Sequence, residues 1–439
     1  VLPLLSTAAW AAPLPPLPLE VQEVRLDNGI RVGAVHVPGS RVLAVQVRVA
    51  AGAAEEGPGQ AGFAHLVEHV GFGGSTHAPA GAYDRWLAEV GADNNAWTEH
   101  DGTSYTVVAP PEALGLVLFL ESDRLGWLSG GLTESEFDNQ RDVVAAEAAG
   151  DRAAPHGRDL SALNAAVFPQ GHPYHRPVIG DASHVAAATP EAVLAFHGRS
   201  HRPERVSVAI ASGLDPDAVL AEARRWLGGV PPREGVEPRP PAAPPEPAGP
   251  SLWSWRDAVR QDAVYLAWPT VPRGHADEPA LDLLARALGD ALAADRGLER
   301  RGLQSVEAWT LNGRHGGLFV VEARVGEGSA ADALASLERA VRRARLPARR
   351  LPELRVRWHA DAVRAAQGAE ARAHLVAACL GRGLPADCAA ADLARYAEVS
   401  AADLARVRAA RLTPARRTAL LVVDPARRVP EGATPVVLP

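Results

Sequence analysis

Residues 228–250 read "GGVPPREGVEPRPPAAPPEPAGP". Proline at this density fixes φ and removes backbone donors, so neither a continuous helix nor a central strand can form there. Such a stretch is an extended, semi-rigid spacer. It divides the 439-residue chain into halves of similar size, and a chain this long exceeds one ordinary core. The expected organisation is a leader over 1–19, a first domain over 20–228, the spacer over 229–250 and a second domain over 251–439.

Both halves run through the same order of elements. In the first, "VQEVRLDNGIRVGAVHVPGSRVLAVQVRVAAG" alternates apolar and polar residues in three runs, separated by Asn28-Gly29 and by Pro38-Gly39-Ser40. That pattern is strand–turn–strand–turn–strand. Helical spacing follows from Gly62 to Val70 and in "GAYDRWLAEVG", strand alternation returns in "NNAWTEHDGTSYTVVAP", and two longer helices come after it. The second of these opens with Thr133 and Glu136 at capping-box spacing. The second half has strands in "SLWSWRD" and "AVYLAWPTV", a helix in "PALDLLARALGDALAAD", a strand in "GGLFVVEARVG", helices, and a last strand in "RTALLVVDP". This recurrence predicts a degenerate duplication. The fold class is α+β: two tandem, related α/β sandwich domains, each a mixed, mainly antiparallel sheet with helices packed on one face.

Within this frame "FAHLVEHV" places His65, Glu68 and His69 on one helix face, since positions i, i+3 and i+4 lie together. Two imidazoles at i and i+4 can bind one Zn²⁺, and the carboxylate one turn along can take a proton from water that the metal activates. The corresponding helix of the second half, "ALDLLARAL", has no histidine. Any metal chemistry therefore belongs to the first half. Catalytic zinc needs a third protein ligand, and Glu89, Glu99, Asp101, Glu121, Glu134, Glu136, Asp142 and Glu147 all lie downstream. On the helix from Thr133, Phe137, Gln140, Val144 and Glu147 form one stripe, and a carboxylate on a core-facing stripe needs a cation or hydrogen-bond partners. Glu147 is the best candidate on that ground, with Gln140 as an outer partner of the ligands.

Composition excludes other classes. A formal charge of −7 leaves no basic stripe for nucleic acid, and no apolar run is long enough for a transmembrane helix. There is no G-x-S-x-G and no glycine-rich phosphate loop, and His77, His100, His172, His175, His197 and His201 form no second ligand set. All 45 basic residues are arginine and methionine is absent, as in a GC-rich genome. "VLPLLSTAAWAAP" is similar to the end of a secretory signal, with Ala9-Trp10-Ala11 before a mature start at Ala12. The expected location is then the bacterial periplasm or the medium. There, a disulfide between Cys379 and Cys388 across "LGRGLPAD" is feasible. Two buried thiols are the equal alternative.

"GFAHLVEHVGFGGSTHAP", "NNAWTEHDGTSYTVV", "FDNQRDVVAAEAAGD" and "HPYHRPVIGD" resemble the pitrilysin/insulinase family of zinc peptidases, the inverzincins. The size and linker are similar to the short two-domain branch that includes mitochondrial processing peptidase and its bacterial relatives. The resemblance implies one Zn²⁺ per chain held by His65, His69 and Glu147, the glutamate of Val143-Val144-Ala145-Ala146-Glu147, with Glu68 as general base. Many relatives have a glutamate seven residues before that ligand, where this chain has Gln140. It further implies that Asn95 and Ala96 bind substrate backbone as an added strand.

The activity expected is zinc metalloendopeptidase on peptides or unfolded segments. The rival is a structural or assembly subunit of the same fold that cleaves nothing. In the family an Arg and a Tyr from a C-terminal-type half grip the substrate. The matching stretch here, "LERRGLQSVEAW" over 298–309, offers Arg300 and Arg301 but no Tyr. A homologous subunit that supplies the Arg–Tyr pair is therefore expected as partner, or a homodimer in which a residue such as Trp309 substitutes.

Overall fold

The computed structural model describes Leu17 and residues 19–235, 247–326 and 328–438. The suspected signal remnant, except for Leu17 and Leu19, and the centre of the Pro-rich spacer lie outside these residues. Two compact units emerge. One gathers 19–242 together with 366–389, and the other gathers 243–365 together with 390–436.

The first unit is built on β1 (Val21–Arg25), β2 (Arg31–His36), β3 (Leu43–Val49), β4 (Asp93–Thr98), β5 (Thr103–Ala109) and β6 (Val206–Ser212). Their order is β1-β2-β6-β3-β5-β4, with β2 and β6 parallel and every other pair antiparallel. The β1–β2 turn falls at Asn28-Gly29, where Asn28 Oδ1 accepts from Ile30 N and Gly29 has φ +100°. On β3 the alternation is clear. Leu43, Val45, Val47 and Val49 join Val206, Val208 and Ile210 in one core. Ala44 faces the other way with Ala209 and Ala211. The first core is closed by α3 (Leu114–Trp127) and the helix Pro216–Leu227.

The opposite face is not left bare, as a one-faced sandwich would leave it. Helix Ala369–Gly381, taken from far along the chain, covers it through Ala373, Val376, Ala377 and Leu380. It lies so close that a Cβ on Gly33 would come 2.7 Å from Val376 Cγ1. Cys379, in the last turn of this helix, is disulfide-bonded to Cys388, closing the turn between them.

The second unit repeats the plan with β7 (Ser251–Arg256), β8 (Asp262–Thr270), β9 (Leu303–Gly313), β10 (Gly316–Val325), β11 (Thr418–Val423) and β12 (Thr434–Pro435). The order is β12-β7-β11-β8-β10-β9. The strands anticipated at β7, β8, β10 and β11 are present, and β9 and β12 are additions. Helix Glu278–Ala293 packs on this sheet through Leu281, Leu284, Leu288 and Leu292. No helix among the described residues is long and apolar enough to cross a membrane.

Candidate metal centre

The histidine-bearing helix is α1 (Phe63–Val70). Its Phe63, Leu66, Val67 and Val70 are buried against Phe137, Val144 and Phe196, which turns His65, Glu68 and His69 to the other side. The N-cap is Gly62, at φ +100°, with no side chain to satisfy the first amides. Glu56 supplies the missing acceptor, its Oε1 taking hydrogen bonds from Gly62 N at 3.0 Å and Ala64 N at 2.9 Å. Burial pushes the Glu56 carboxyl up to about 8.

Two further helices complete the surroundings, α2 (Ala82–Glu89) and α4 (Glu134–Ala153). Thr133 Oγ1 caps α4 by accepting from Glu136 N at 3.2 Å. Phe137 and Val144 of α4 pack in the same cluster as α1, and that docking brings Glu147 to the histidines. His65 Nε2 and His69 Nε2 are 3.3 Å apart. Glu147 Oε2 lies 3.6 Å from the first and 3.4 Å from the second. Two atoms held 2.0–2.1 Å from a tetrahedral zinc must sit about 3.3–3.4 Å apart. The triangle has that size, and two nitrogen lone pairs turned on one another beside a carboxylate suit a cation between them, so this donor set fits zinc.

Glu68 approaches the same point without entering the triangle. Its ligand atom and those of the two histidines lie within 4.8 Å of one another, but Oε2 accepts a 2.6 Å hydrogen bond from Thr98 Oγ1. Burial lifts the Glu68 carboxyl to about 7, against the Thr98 hydrogen bond and Arg124 and with help from Glu147. Burial, followed by the His69 charge, lowers His65 to about 4. His65 is therefore neutral at pH 7, the form that binds metal.

The Glu147 side chain is 46% exposed, so the core-stripe reasoning describes Phe137 and Val144 but not the surroundings of this carboxylate. Gln140 is not brought to the ligands. It donates to Glu136 Oε1 at 3.1 Å, one turn back on α4. Asn95 and Ala96 are on β4, the edge strand, and the Ala96 amide donates to Asn95 Oδ1 at 2.8 Å. Arg300 and Arg301 are exposed just before β9, and Trp309 Nε1 donates to Glu322. Of the other histidines, His77 pairs with Asp123, His100 with Arg176 O and His201 with Tyr105.

A cleft of about 590 Å³ opens over the triangle, walled by Phe72, Asp84, Asn94, Trp97, Asp151 and Ile179. Behind α1 lies a buried layer that sequence reading missed. Arg124 is ion-paired with Glu121, which also accepts from Tyr83 OH. Its guanidinium sits 3.8 Å from the Tyr105 ring centre. Glu56 and Thr98 were missed as well. The bare Gly62 cap was the available signal for Glu56.

Fold and donor set define a class, a two-unit α+β protein with a candidate three-donor metal site on two helices of its first unit. Comparison with known proteins makes it specific. Residues 31–182 match the Insulinase (Peptidase family M16) profile and residues 187–346 the Peptidase M16 inactive domain profile. The chain belongs to the peptidase M16, or insulinase, family. An uncharacterized zinc protease of Mycobacterium leprae is 32% identical over 271 residues, 61% of this chain and 60% of that protein. Zinc protease PqqE of Helicobacter pylori is 26% identical over 278 residues, 61% of each. The chain thus spans about three fifths of the length of these relatives. In fold it is similar to a protease from Helicobacter pylori, with a TM-score of 0.83 at 22% identity over 93% of this chain and 100% of that one. It is also similar to the periplasmic protease PqqL of Escherichia coli, with a TM-score of 0.77 at 18% identity over 93% of this chain and 48% of that one.

Proposed function

We propose that this protein is a zinc metalloendopeptidase acting on peptides or unfolded protein segments, with His65, His69 and Glu147 holding one Zn²⁺ and Glu68 as general base. The observation that carries this reading is the 3.3, 3.4 and 3.6 Å triangle of donor atoms. A zinc ion there would supply Lewis acidity, polarising a carbonyl and acidifying water. Glu68 takes the proton of the attacking water and returns it to the departing amine. Thr98 holds that carboxylate in place.

β4 binds the substrate as an added strand. The Ala96 amide bonds the Asn95 side chain, and a peptide carbonyl would take over that donor. The partner is a homologous subunit bringing an Arg–Tyr pair, or a second copy of this chain. The site of action is the periplasm or the exterior, a reading supported by the disulfide and by the likeness to a protease named as periplasmic.

The test is zinc content together with cleavage of a mixed peptide library, with and without chelator. Chelator-sensitive cleavage restored by zinc is the expected result, and cleavage indifferent to chelator overturns it. Activity that rises when a homologous subunit is added supports the partner; full activity alone with no gain on mixing removes it.

A further inference from the structure

A large apolar space lies in the second unit. A cavity of about 950 Å³ sits between the sheet and the helices Ala330–Arg343, Leu351–Ala365 and Ala401–Arg411. Leu266, Trp268, Leu351, Leu354 and Leu404 line it, and each is itself almost fully buried. Folded proteins normally cover apolar surface of this kind, because leaving it against water forgoes hydrophobic and dispersion gains. Water gains little there, since walls of this kind offer it few partners.

The charge around the space is one-sided. Arg342, Arg343, Arg345, Arg350, Arg408 and Arg417 line it against a single acid among the described lining residues, Glu338. Four of the six are engaged. Arg408 donates to the carbonyls of Val341 and Ala344, Arg350 pairs with Asp290, and Arg342 and Arg417 share Glu338. Arg343 and Arg345 are exposed and have no ion pair or hydrogen bond among the described residues. A chain of net charge −7 has collected guanidinium groups around one apolar cavity.

We propose that this cavity binds a single-chain anionic amphiphile of the long-chain fatty acid class, its hydrocarbon among the leucines and its carboxylate on Arg343 and Arg345. A volume of about 950 Å³ is at the upper end of the roughly 300–1,000 Å³ typical of small-ligand sites. Guanidinium is the natural partner of a carboxylate.

Delipidated full-length protein titrated with palmitate in a calorimeter should bind one molecule saturably. Shortening the chain by two carbons should weaken binding by about tenfold, because each buried methylene contributes. Ala291 also lines the space, so Ala291→Phe should fill it and abolish binding while the melting temperature holds or rises, and loss cannot be laid to unfolding. The double variant Arg343→Ser/Arg345→Ser should weaken palmitate about tenfold and leave hexadecanol unchanged. Absence of saturable binding overturns the proposal, as does equal affinity in the Ala291→Phe protein. An apolar peptide with a free C-terminus binding in preference to palmitate would equally overturn it in favour of a peptide site.

Discussion

The two sheets differ least where they might be expected to differ most. Strand for strand, β2-β6-β3-β5-β4 matches β7-β11-β8-β10-β9, each with one parallel pair in the same place. Only the outermost strand departs: β1 runs antiparallel to its neighbour and β12 parallel. Even the contact between helix and edge strand recurs. Thr98 on β4 donates to Glu68, and Thr310 on β9 donates to Asp282 at 2.6 Å. The separation is in the helix face. α1 turns two imidazoles outward, whereas helix Glu278–Ala293 turns leucines inward, and Asp282 is tied off by Tyr396 and Asn312. A repeated scaffold can therefore hold a candidate metal site in one copy and none in the other through a few side chains, because packing and donor groups use different faces of one helix.

That comparison breaks most readily at the carboxylates. Glu68→Gln should keep its zinc and lose about 10²–10⁴-fold in peptide cleavage, while Asp282→Asn should leave cleavage within about twofold. If the two variants fall equally, the second unit is part of the chemistry. Glu147→Gln should hold far less than one zinc after dialysis, since an amide is a poor third ligand; elemental analysis decides it, and full zinc would move the ligand elsewhere. Replacing both Cys379 and Cys388 by Ser should destabilise the first unit by about 2–3 kcal/mol, from the closure of so short a loop. Hydrogen exchange would reveal whether protection drops on the first sheet alone.

The last effect concerns pH. The folded chain keeps the Glu56 proton up to about 8, whereas the ordinary value is 4.5. Between these values the folded state binds more protons than the unfolded one, so this contribution is complete below about pH 4.5 and fades as pH rises toward 8. Glu56→Gln should flatten that slope in urea midpoints taken from pH 5 to 8. An unchanged slope would mean that Glu56 is ionised while it caps α1.

Short-range periodicity in the sequence encodes the local part of the fold and of the site. His65, Glu68 and His69 follow from spacing on one helix, and the strand at Leu43–Val49 follows from strict alternation. Glu147 was reached through Phe137 and Val144, which do face the core, although the carboxylate itself is partly open to solvent. Thr98 and Arg124 were out of reach, because each meets α1 only through tertiary folding; Glu56 lies six residues before Gly62, and the bare cap was its one local signal. Gln140 bonds along its own helix instead of to a ligand. The helix at Ala369–Gly381 reads as any apolar helix; nothing local says which sheet it will cover.

That helix has a consequence for synthesis. When residue 235 has left the ribosome, every strand of the first sheet exists, yet Val35, Ala44, Ala209 and Ala211 still lack their cover. The remaining residues up to 389 take on the order of ten seconds at roughly 5–20 residues per second. During that interval the nascent sheet carries an open apolar face, which is a binding site for chaperones and a hazard for aggregation. The first unit therefore stays unfinished until residue 389 is made, and a gene truncated at the proline-rich spacer would encode a sheet without its lid.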